Sequence, residues 1–296
     1  MKIFDCFMYF DEEMILDLRL NILNEYVDYF VIVESTYTHK GEIRNLKFDI
    51  KKYEKFKDKI IYLVYDEEPK GIDTVYKDDN ESIKSTKYIL NAIKRENSQR
   101  NFIKTGLTKA SDKDIIMISD VDEIPNLSDK NFDEISNKIY LFRQDMFYYK
   151  FNLQIPNFKW VGTKACKKKN LISPQWLRNI KDRKYPFYRL DTLFSQTKYT
   201  NVKFIDQGGW HFSNIKTASE IEHKLKSYLH HREFDLEPLT KNEIENIIKN
   251  KKAIYDLKVD KKINKIGNGS ELVNSDINKL PKYLIENKQL YKNWLD

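Results

Sequence analysis

The sequence predicts an α/β fold with a doubly wound, mostly parallel central sheet, flanking helices and further helices at the C-terminus. Strand-like and helix-like segments alternate up to residue 125, as they do in βαβ units. Two of the strand-like segments, 29–36 and 115–118, contain unbroken apolar runs, which are typical of strands covered on both faces. Carboxylates follow the second run directly, at the sheet edge where ligands bind in such folds.

The first half of the chain supplies the parallel strands. Residues 2–9 are expected to form a strand, and a well-covered helix begins at Asp11 with acidic residues in its first turn, where the helix dipole favours them. Four polar positions of this helix are expected to face solvent: Asp17, Arg19, Asn21 and Asn24. Further predicted elements are strands at 29–36, 59–66 and 115–118, helices at 50–57 and 81–107, and a charged loop at 67–80.

After Pro125 the regular alternation ends. The predicted elements are one or two long strands in 139–155, a hairpin in 158–173, a short helix from Pro174 to Lys184, and a strand, a tight glycine turn and a second strand in 201–214. Two helices joined near Pro238 are predicted between Thr217 and Leu257, followed by a loop at 258–280. A final short helix is expected from Pro281, since proline is tolerated at a helix start.

Composition restricts the class of protein. The chain has 296 residues and a formal charge of +7, from 52 Lys and Arg against 45 Asp and Glu. This surplus suits an anionic small substrate or peripheral contact with an anionic membrane, and it does not indicate nucleic acid. The aromatic share of 14% favours clefts that stack flat rings. The two cysteines, the missing signal-peptide pattern and the absence of an apolar run near ~20 residues predict a cytoplasmic protein without a membrane span.

The acidic turn after residue 118 is the first candidate site. Asp120, Asp122 and Glu123 crowd three carboxylates into four positions, and such groups repel one another unless a cation joins them. Mg²⁺ and Mn²⁺ prefer carboxylate oxygens and commonly bind substrate phosphates as well. The turn therefore predicts a metal–diphosphate site, and the alternative is a solvated turn in which Asp120 or Asp122 caps a short helix.

His211 is the second candidate. It follows Gly208, Gly209 and Trp210, and paired glycines let a backbone pass close to a ligand. Considered with Asp120 and Asp122, His211 is interpreted as a further ligand of the same metal. The alternative is a hydrogen-bonded core histidine.

Other polar and aromatic residues extend the predicted site. Glu34 ends an earlier strand and could accept hydrogen bonds from a nucleoside, or be an ion-paired surface residue. Arg95 or Arg100 could hold a phosphate, or form a solvated helix face. Stacking platforms are offered by Tyr148, Tyr149, Trp160 and Trp176, although most such aromatics belong to a core. Glycine-rich dinucleotide, Walker-type and nucleophilic-serine motifs are absent from the sequence.

Several motifs together resemble glycosyltransferase family 17, of the GT-A type, the family of the β-1,4-mannosyl-glycoprotein 4-β-N-acetylglucosaminyltransferase. The resemblance covers nearly the whole chain and matches least clearly in 126–200. It is carried by segments 3–7, 13–24, 27–35, 95–101, 118–125, 209–213 and 280–287.

The resemblance implies a GT-A-like catalytic domain over residues 1–215, with a helical extension over 216–296 packed on it. It also implies a UDP-GlcNAc donor, Mn²⁺ or Mg²⁺ as cofactor, a glycan acceptor, and inversion at the anomeric carbon. Asp122 would bind the metal, with Asp120 and His211 as further ligands. The donor would be contacted by Glu34, Arg100, Asp120 and Trp210.

Inversion by direct displacement also needs a carboxylate that takes the proton of the acceptor hydroxyl. Asp145 and Glu123 are the predicted catalytic residues, with Asp145 preferred because it lies on the aromatic segment after the acidic turn. Asp191 and Asp206 stay open as alternatives. The same carboxylates could instead serve a metal-dependent phosphohydrolase or nucleotidyltransferase, and a non-enzymatic glycan-binding module is the third interpretation.

Overall fold

The computed structural model describes residues 1–128, 130, 132, 138–228, 231–255 and 269–296. Within these residues the strands are β1 (Ile3–Tyr9), β2 (Tyr29–Ser35), β3 (Ile60–Tyr65), β4 (Ile115–Asp120), β5 (Glu123–Pro125), β6 (Ile139–Tyr148), β7 (Leu153–Lys167), β8 (Val202–Ile205), β9 (Gly209–Ser213) and β10 (Val273–Asn274). The α-helices are α1 (Glu13–Leu23), α2 (Glu81–Phe102), α3 (Pro174–Asn179), α4 (Ala218–Ser227), α5 (His231–Leu236), α6 (Lys241–Lys249) and α7 (Lys282–Glu286). Short 3-10 helices occupy Ile50–Lys59, Ile103–Leu107, Lys168–Asn170, Leu190–Thr192, Ile277–Lys279 and Lys292–Trp294.

These strands form one sheet in the order β3-β2-β1-β4-β7-β6-β9-β5, with β8 beside β6 and β10 beside β7. The first four strands of this order are parallel, and β8 and β9 are both parallel to β6. β7 is antiparallel to both of its neighbours, β4 and β6. The predicted α/β class with a mostly parallel sheet is therefore confirmed.

Helices cover both faces of this sheet. On one face α1 and α7 pack against the strands in the largest apolar cluster, which includes Phe7, Leu16, Leu20, Phe30 and Leu284. On the other face the 3-10 turn after α2 and helix α3 cover a second cluster, which includes Cys6, Val31, Ile103, Ile118 and Leu177. Burial on both faces explains why the parallel strands carry apolar runs without polar alternation.

The segment 158–173 is not the predicted hairpin. β7 is one strand that runs from Leu153 to Lys167, with shifts of register against β6. Asn157 has a positive φ of 55°, so the chain bends there without reversing. Because β4 and β6 offer edges on both sides, the strand continues through residues that have the composition of a turn.

The segment 201–214 contains the two predicted strands, but they do not pair with each other. β8 lies beside residues 139–142 of β6 and β9 lies beside residues 145–148 of the same strand, in the same direction. Gly208 and Gly209 therefore connect two successive stretches along one edge instead of reversing the chain.

Among the described residues between Thr217 and Tyr255 there are three helices, α4 to α6, where two were predicted. Part of the predicted loop 258–280 lies outside the described residues, and the part from 269 onwards contains β10 and a 3-10 turn. The final helix begins directly after Pro281, as predicted. In the regions that the structure describes, no helix has both the length and the apolar character needed to cross a bilayer.

Candidate active site

The acidic turn joins β4 to β5 and is held from inside the fold by Arg19 of α1. The side chain of Arg19 is completely buried, and its guanidinium bonds both oxygens of Asp5 at 2.6 and 2.7 Å. The same group donates to the backbone carbonyls of Asp120, Val121 and Glu123. The prediction that Arg19 faces solvent is therefore wrong. The Asp5 carboxylate on β1 balances the charge of Arg19, and this carboxylate and the three carbonyls of the turn accept hydrogen bonds from its guanidinium.

Two further arginines hold the Asp120 side chain. Arg100 of α2 donates to Asp120 Oδ1 at 3.1 Å, and Arg178 of α3 donates to Oδ2 at 3.0 Å. Burial raises the pKa of the Asp120 carboxyl, but the charges of Arg178 and Arg100 outweigh burial and hold this pKa below its usual range. The two arginines therefore keep Asp120 ionised and fix both of its oxygens.

The Glu123 carboxylate lies behind this turn and has no exposed surface. It accepts hydrogen bonds from the backbone N–H of Asp120, the indole N–H of Trp160 and the guanidinium of Arg178. The distances range from 2.7 to 3.1 Å. These contacts make Glu123 a support for the turn, and they leave its carboxylate with no open face toward a substrate.

Asp122 and His211 face each other across the turn. β9 pairs with β5 so that His211 lies opposite Glu123, and the backbone N–H of Phe212 donates to the carbonyl of Asp122. The gap between His211 Nε2 and Asp122 Oδ1 is 3.6 Å, which is longer than a hydrogen bond. Burial lowers the pKa of His211, but the Asp122 carboxylate outweighs this effect and raises the pKa above its usual value.

The residues of the turn open onto a cavity of about 390 Å³ at the carboxyl ends of β1, β2 and β4, a volume in the range of small-molecule sites. Aromatic rings form much of its wall: Tyr9, Phe10, Tyr37, Trp160, Tyr228 and Tyr255. The charged side chains of the wall are Glu12, Arg44, Glu96, Asp120, Asp122 and Lys224, together with the imidazoles of His39 and His211. Flat apolar surfaces and both signs of charge therefore meet in one cleft.

Glu34 does not line this cavity, although it ends β2 as predicted. Its buried carboxylate accepts from the backbone N–H groups of Lys47 and Phe48, from the hydroxyl of Tyr62 and from Arg44. Arg44 does line the cavity, and its guanidinium lies 4.4 Å from the centre of the Phe10 ring. Glu34 is therefore placed to orient Arg44 and, through it, the cavity wall.

Two other predicted residues also lie away from the cavity. The indole N–H of Trp210 donates to the carbonyl of Lys279, so Trp210 ties the C-terminal segment to β9. Asp145 accepts hydrogen bonds from Gln154 and Lys159 at 2.6 Å each. Neither residue is part of the cavity wall.

A divalent cation can be tested against this donor set. Two ligands of one octahedral ion lie about 3 Å apart, so the 3.6 Å gap between Asp122 and His211 suits a shared ion. Both Asp120 oxygens are already bonded to arginines. Across the described residues no group of three or more His, Cys, Asp or Glu side chains is arranged as a metal site. Asp122 and His211 are the two side chains that could hold such an ion, and its remaining ligands would have to come from a substrate and water.

The sequence interpretation missed Arg178 and Arg44. Arg178 is 58 positions from Asp120, and no local pattern marks it among the charged residues of the segment 178–184. Arg44 lies in a polar stretch after β2 that contains no recognisable motif. The available signal was general: three crowded carboxylates require cationic neighbours if they are not all bound to a metal.

A comparison with known protein families identifies the family of the chain. The model of the family described as glycosyltransferase family 17 matches residues 1–296. A search of curated proteins found no match.

Proposed function

Because the chain belongs to glycosyltransferase family 17, we propose that it transfers GlcNAc from UDP-GlcNAc to a hydroxyl of a glycan, with inversion at the anomeric carbon and a divalent cation. Glycosyl transfer itself, with a sugar donor and an acceptor, follows from membership of the family. The donor, the metal dependence and the stereochemistry are the proposed parts.

The observation that carries the proposal is the Asp122–His211 pair in the wall of an aromatic cleft. Asp122 and His211 would hold Mn²⁺ or Mg²⁺, and a bound cation would neutralise charge on the diphosphate as UDP leaves. Arg44 and Lys224 are the cations of the cavity wall, and we assign them to anionic groups of the donor. The aromatic rings of the cleft would stack against the base or the sugar.

The acceptor base is a separate question. The predicted catalytic residues Asp145 and Glu123 lie outside the cavity wall, as do the alternatives Asp191 and Asp206. Of the carboxylates in the wall, Glu96 and Asp120 are bonded to Arg100, and Asp122 is assigned to the metal. Glu12 remains.

We assign the role of the base to Glu12, because it lines the cavity and, in the ranges that the structure describes, its carboxylate is not bonded to an arginine. Its Oε2 accepts from the backbone N–H groups of Phe10 and Asp11, and among the described residues no cation lies within ion-pair distance of it. Glu12 and Asp122 also line a second cavity of about 430 Å³ beside the first, which we assign to the acceptor. Glu12 would take the hydroxyl proton as the acceptor oxygen bonds to the anomeric carbon and the bond from that carbon to UDP breaks.

The donor and the metal are tested by thermal shift with a panel of nucleotide sugars, with and without Mn²⁺. A ligand at 100 times its Kd stabilises the folded state by about 2.7 kcal/mol, so the preferred donor is identified by the largest shift. Asp122→Asn is expected to abolish the Mn²⁺-dependent part and to lower UDP release by more than about 100-fold. Asp206→Asn is the matched control, since Asp206 pairs with Arg143 on the surface.

The products separate the competing functions. Release of UDP, or sugar transfer to an added acceptor, supports the transferase, whereas release of UMP would assign the site to a phosphohydrolase or nucleotidyltransferase. If the protein binds glycans but its melting temperature does not change with Mn²⁺ and UDP, it is a binding module. The proposal would then be abandoned.

The identity of the base is tested with two variants, in each of which one carboxylate is replaced by the amide of the same size. Glu12→Gln is expected to lower kcat by about 10²- to 10⁴-fold while donor binding persists. Asp145→Asn is expected to keep most of the activity, because its carboxylate faces Lys159 and Gln154. A large loss of kcat in Asp145→Asn, with little loss in Glu12→Gln, would instead identify Asp145 as the base.

A further inference from the structure

A cluster of large apolar side chains is displayed to solvent between α3 and β8. In the described part of the chain, seven large apolar side chains expose 70% or more of their surface, and five of them lie between residues 187 and 194. These five are Phe187 (91%), Tyr188 (70%), Leu190 (72%), Leu193 (74%) and Phe194 (89%). Large exposed apolar side chains that are concentrated in one short segment in this way indicate an interaction surface.

The segment that carries the cluster, residues 181–198, is fixed at both ends. The indole N–H of Trp176 donates to the carbonyl of Gln196 at 2.7 Å, and the backbone N–H of Lys181 donates to the carbonyl of Thr197 at 2.9 Å. Tyr185 is buried within it. The apolar side chains are therefore presented by an anchored segment whose two ends are joined.

Basic residues surround the apolar cluster. The segment has five Lys and Arg residues and two Asp residues. Arg189 and Lys198 are both paired with Asp191. Lys181, Arg183 and Lys184 are exposed, and within the described residues none of the three forms an ion pair. Their charges are thus available to a partner.

We propose that segment 181–198 docks on the surface of an anionic lipid bilayer. Aromatic and aliphatic side chains would enter the interfacial region, and the three unpaired cations would meet acidic headgroups. A second copy of this chain fits less well, because a two-fold interface would place the same basic patches against each other.

The docking surface is joined directly to the acidic turn. Arg178, which bonds Asp120 and Glu123, lies in α3 only three residues before the segment begins. If the proposed transferase function is correct, docking would bring the site to an acceptor carried by a lipid. Membrane contact itself does not depend on that function.

The test is co-sedimentation of the full chain with vesicles. Binding is expected to vesicles that contain phosphatidylglycerol and to be much weaker with phosphatidylcholine alone. Phe187→Ser combined with Phe194→Ser is expected to weaken binding to the anionic vesicles by at least about tenfold. The matched control is Ile43→Ser combined with Leu290→Ser, whose side chains are 82% and 72% exposed elsewhere, and which should bind like the unmodified protein.

The charges are tested in a second variant. Lys181→Ala, Arg183→Ala and Lys184→Ala together are expected to weaken binding to anionic vesicles by about 100-fold, from about one kcal/mol for each cation. Melting temperatures of all variants should match that of the unmodified protein, because each replaced side chain is exposed.

Three results would overturn the proposal. The first is an absence of binding to either kind of vesicle. The second is equal binding by the Phe187/Phe194 variant and by the Ile43/Leu290 control. The third is a lipid-independent dimer that the Phe187/Phe194 variant loses, since this would assign the surface to self-association.

Discussion

At the scale of single residues, Arg178 links the two carboxylates of the turn that differ most in exposure. Glu123 is buried, Asp120 faces the cavity, and one guanidinium bonds both. Arg178→Met would leave the Glu123 charge in the interior without its main partner. We expect a loss of about 3–5 kcal/mol in the free energy of unfolding, measured by urea denaturation.

A double variant separates this pairing from simple loss of packing. Adding Glu123→Gln to Arg178→Met removes the buried charge, and it should recover part of the lost stability. If the double variant is less stable than Arg178→Met, the effect of Arg178 does not arise from the charge of Glu123. The sequence could predict the crowded carboxylates but not Arg178, because only the packing of α3 on β4 and β7 brings it to them.

Lys164 gives a prediction of pH dependence at the same scale. Its ammonium donates to the carbonyls of Arg178 and Ile180 at 2.6 Å each, and burial, with repulsion from Arg178, lowers its pKa from 10.5 to about 8. Between these values the unfolded chain binds more protons, so this contribution to stability rises with pH. Relative to Lys164→Met, the unmodified protein should gain about 3 kcal/mol across this window. The measurement is the free energy of unfolding of both proteins by denaturation at each pH. If this free energy changes with pH in the same way in both proteins, the lowered pKa of Lys164 is contradicted.

At the scale of elements, the path of β9 depends on Gly209. This residue has a φ of +128°, and a Cβ atom there would lie 2.1 Å from the carbonyl oxygen of Ile124. Gly209→Ala should shift β9 against β5 and move His211, which lies two residues later. We expect a loss of more than about 1–3 kcal/mol in stability together with a fall in UDP release.

Gly71→Ala is the matched control for this clash. Gly71 also has a positive φ, +78°, but a Cβ atom added there would meet no other atom within 4 Å. Gly71→Ala should lose only the stability that a positive φ costs an alanine, and it should retain activity. Equal losses in both variants would mean that the close approach of β9 to β5 does not matter.

The elements also show where sequence patterns suffice. The strands β1 to β4 were predictable, and β2 and β4 most directly, because burial on two faces gives each of these two an apolar run that is independent of its partner. The continuity of β7 and the parallel course of β8 and β9 along β6 were not, since they depend on which edges are available in the finished sheet. Asn157 and the paired glycines look like turns locally, and the neighbouring strands determine that they are bends.

At the scale of the whole molecule, the two ends of the chain meet around one site. Residues after 216 contribute Lys224, Tyr228 and Tyr255 to the cavity wall, and β10 joins the same sheet as β1. The terminal segment is bonded back to the loop between β6 and β7, where Asn152 exchanges two hydrogen bonds with Asp296. The division at residue 215 stays a prediction, and these contacts lead us to expect one cooperative unit.

Two leucines in the terminal segment test this cooperativity. Leu284 is completely buried in the largest core cluster, whereas Leu290 is 72% exposed. Leu284→Ala should lower the free energy of global unfolding by about 2–5 kcal/mol, and Leu290→Ala should change it by less than about 0.5 kcal/mol. Urea denaturation followed by far-ultraviolet circular dichroism measures both, since its signal reports on the whole sheet. An unchanged transition in Leu284→Ala would show that the terminal segment folds apart from the sheet, because a buried side chain destabilises only the unit that it packs within.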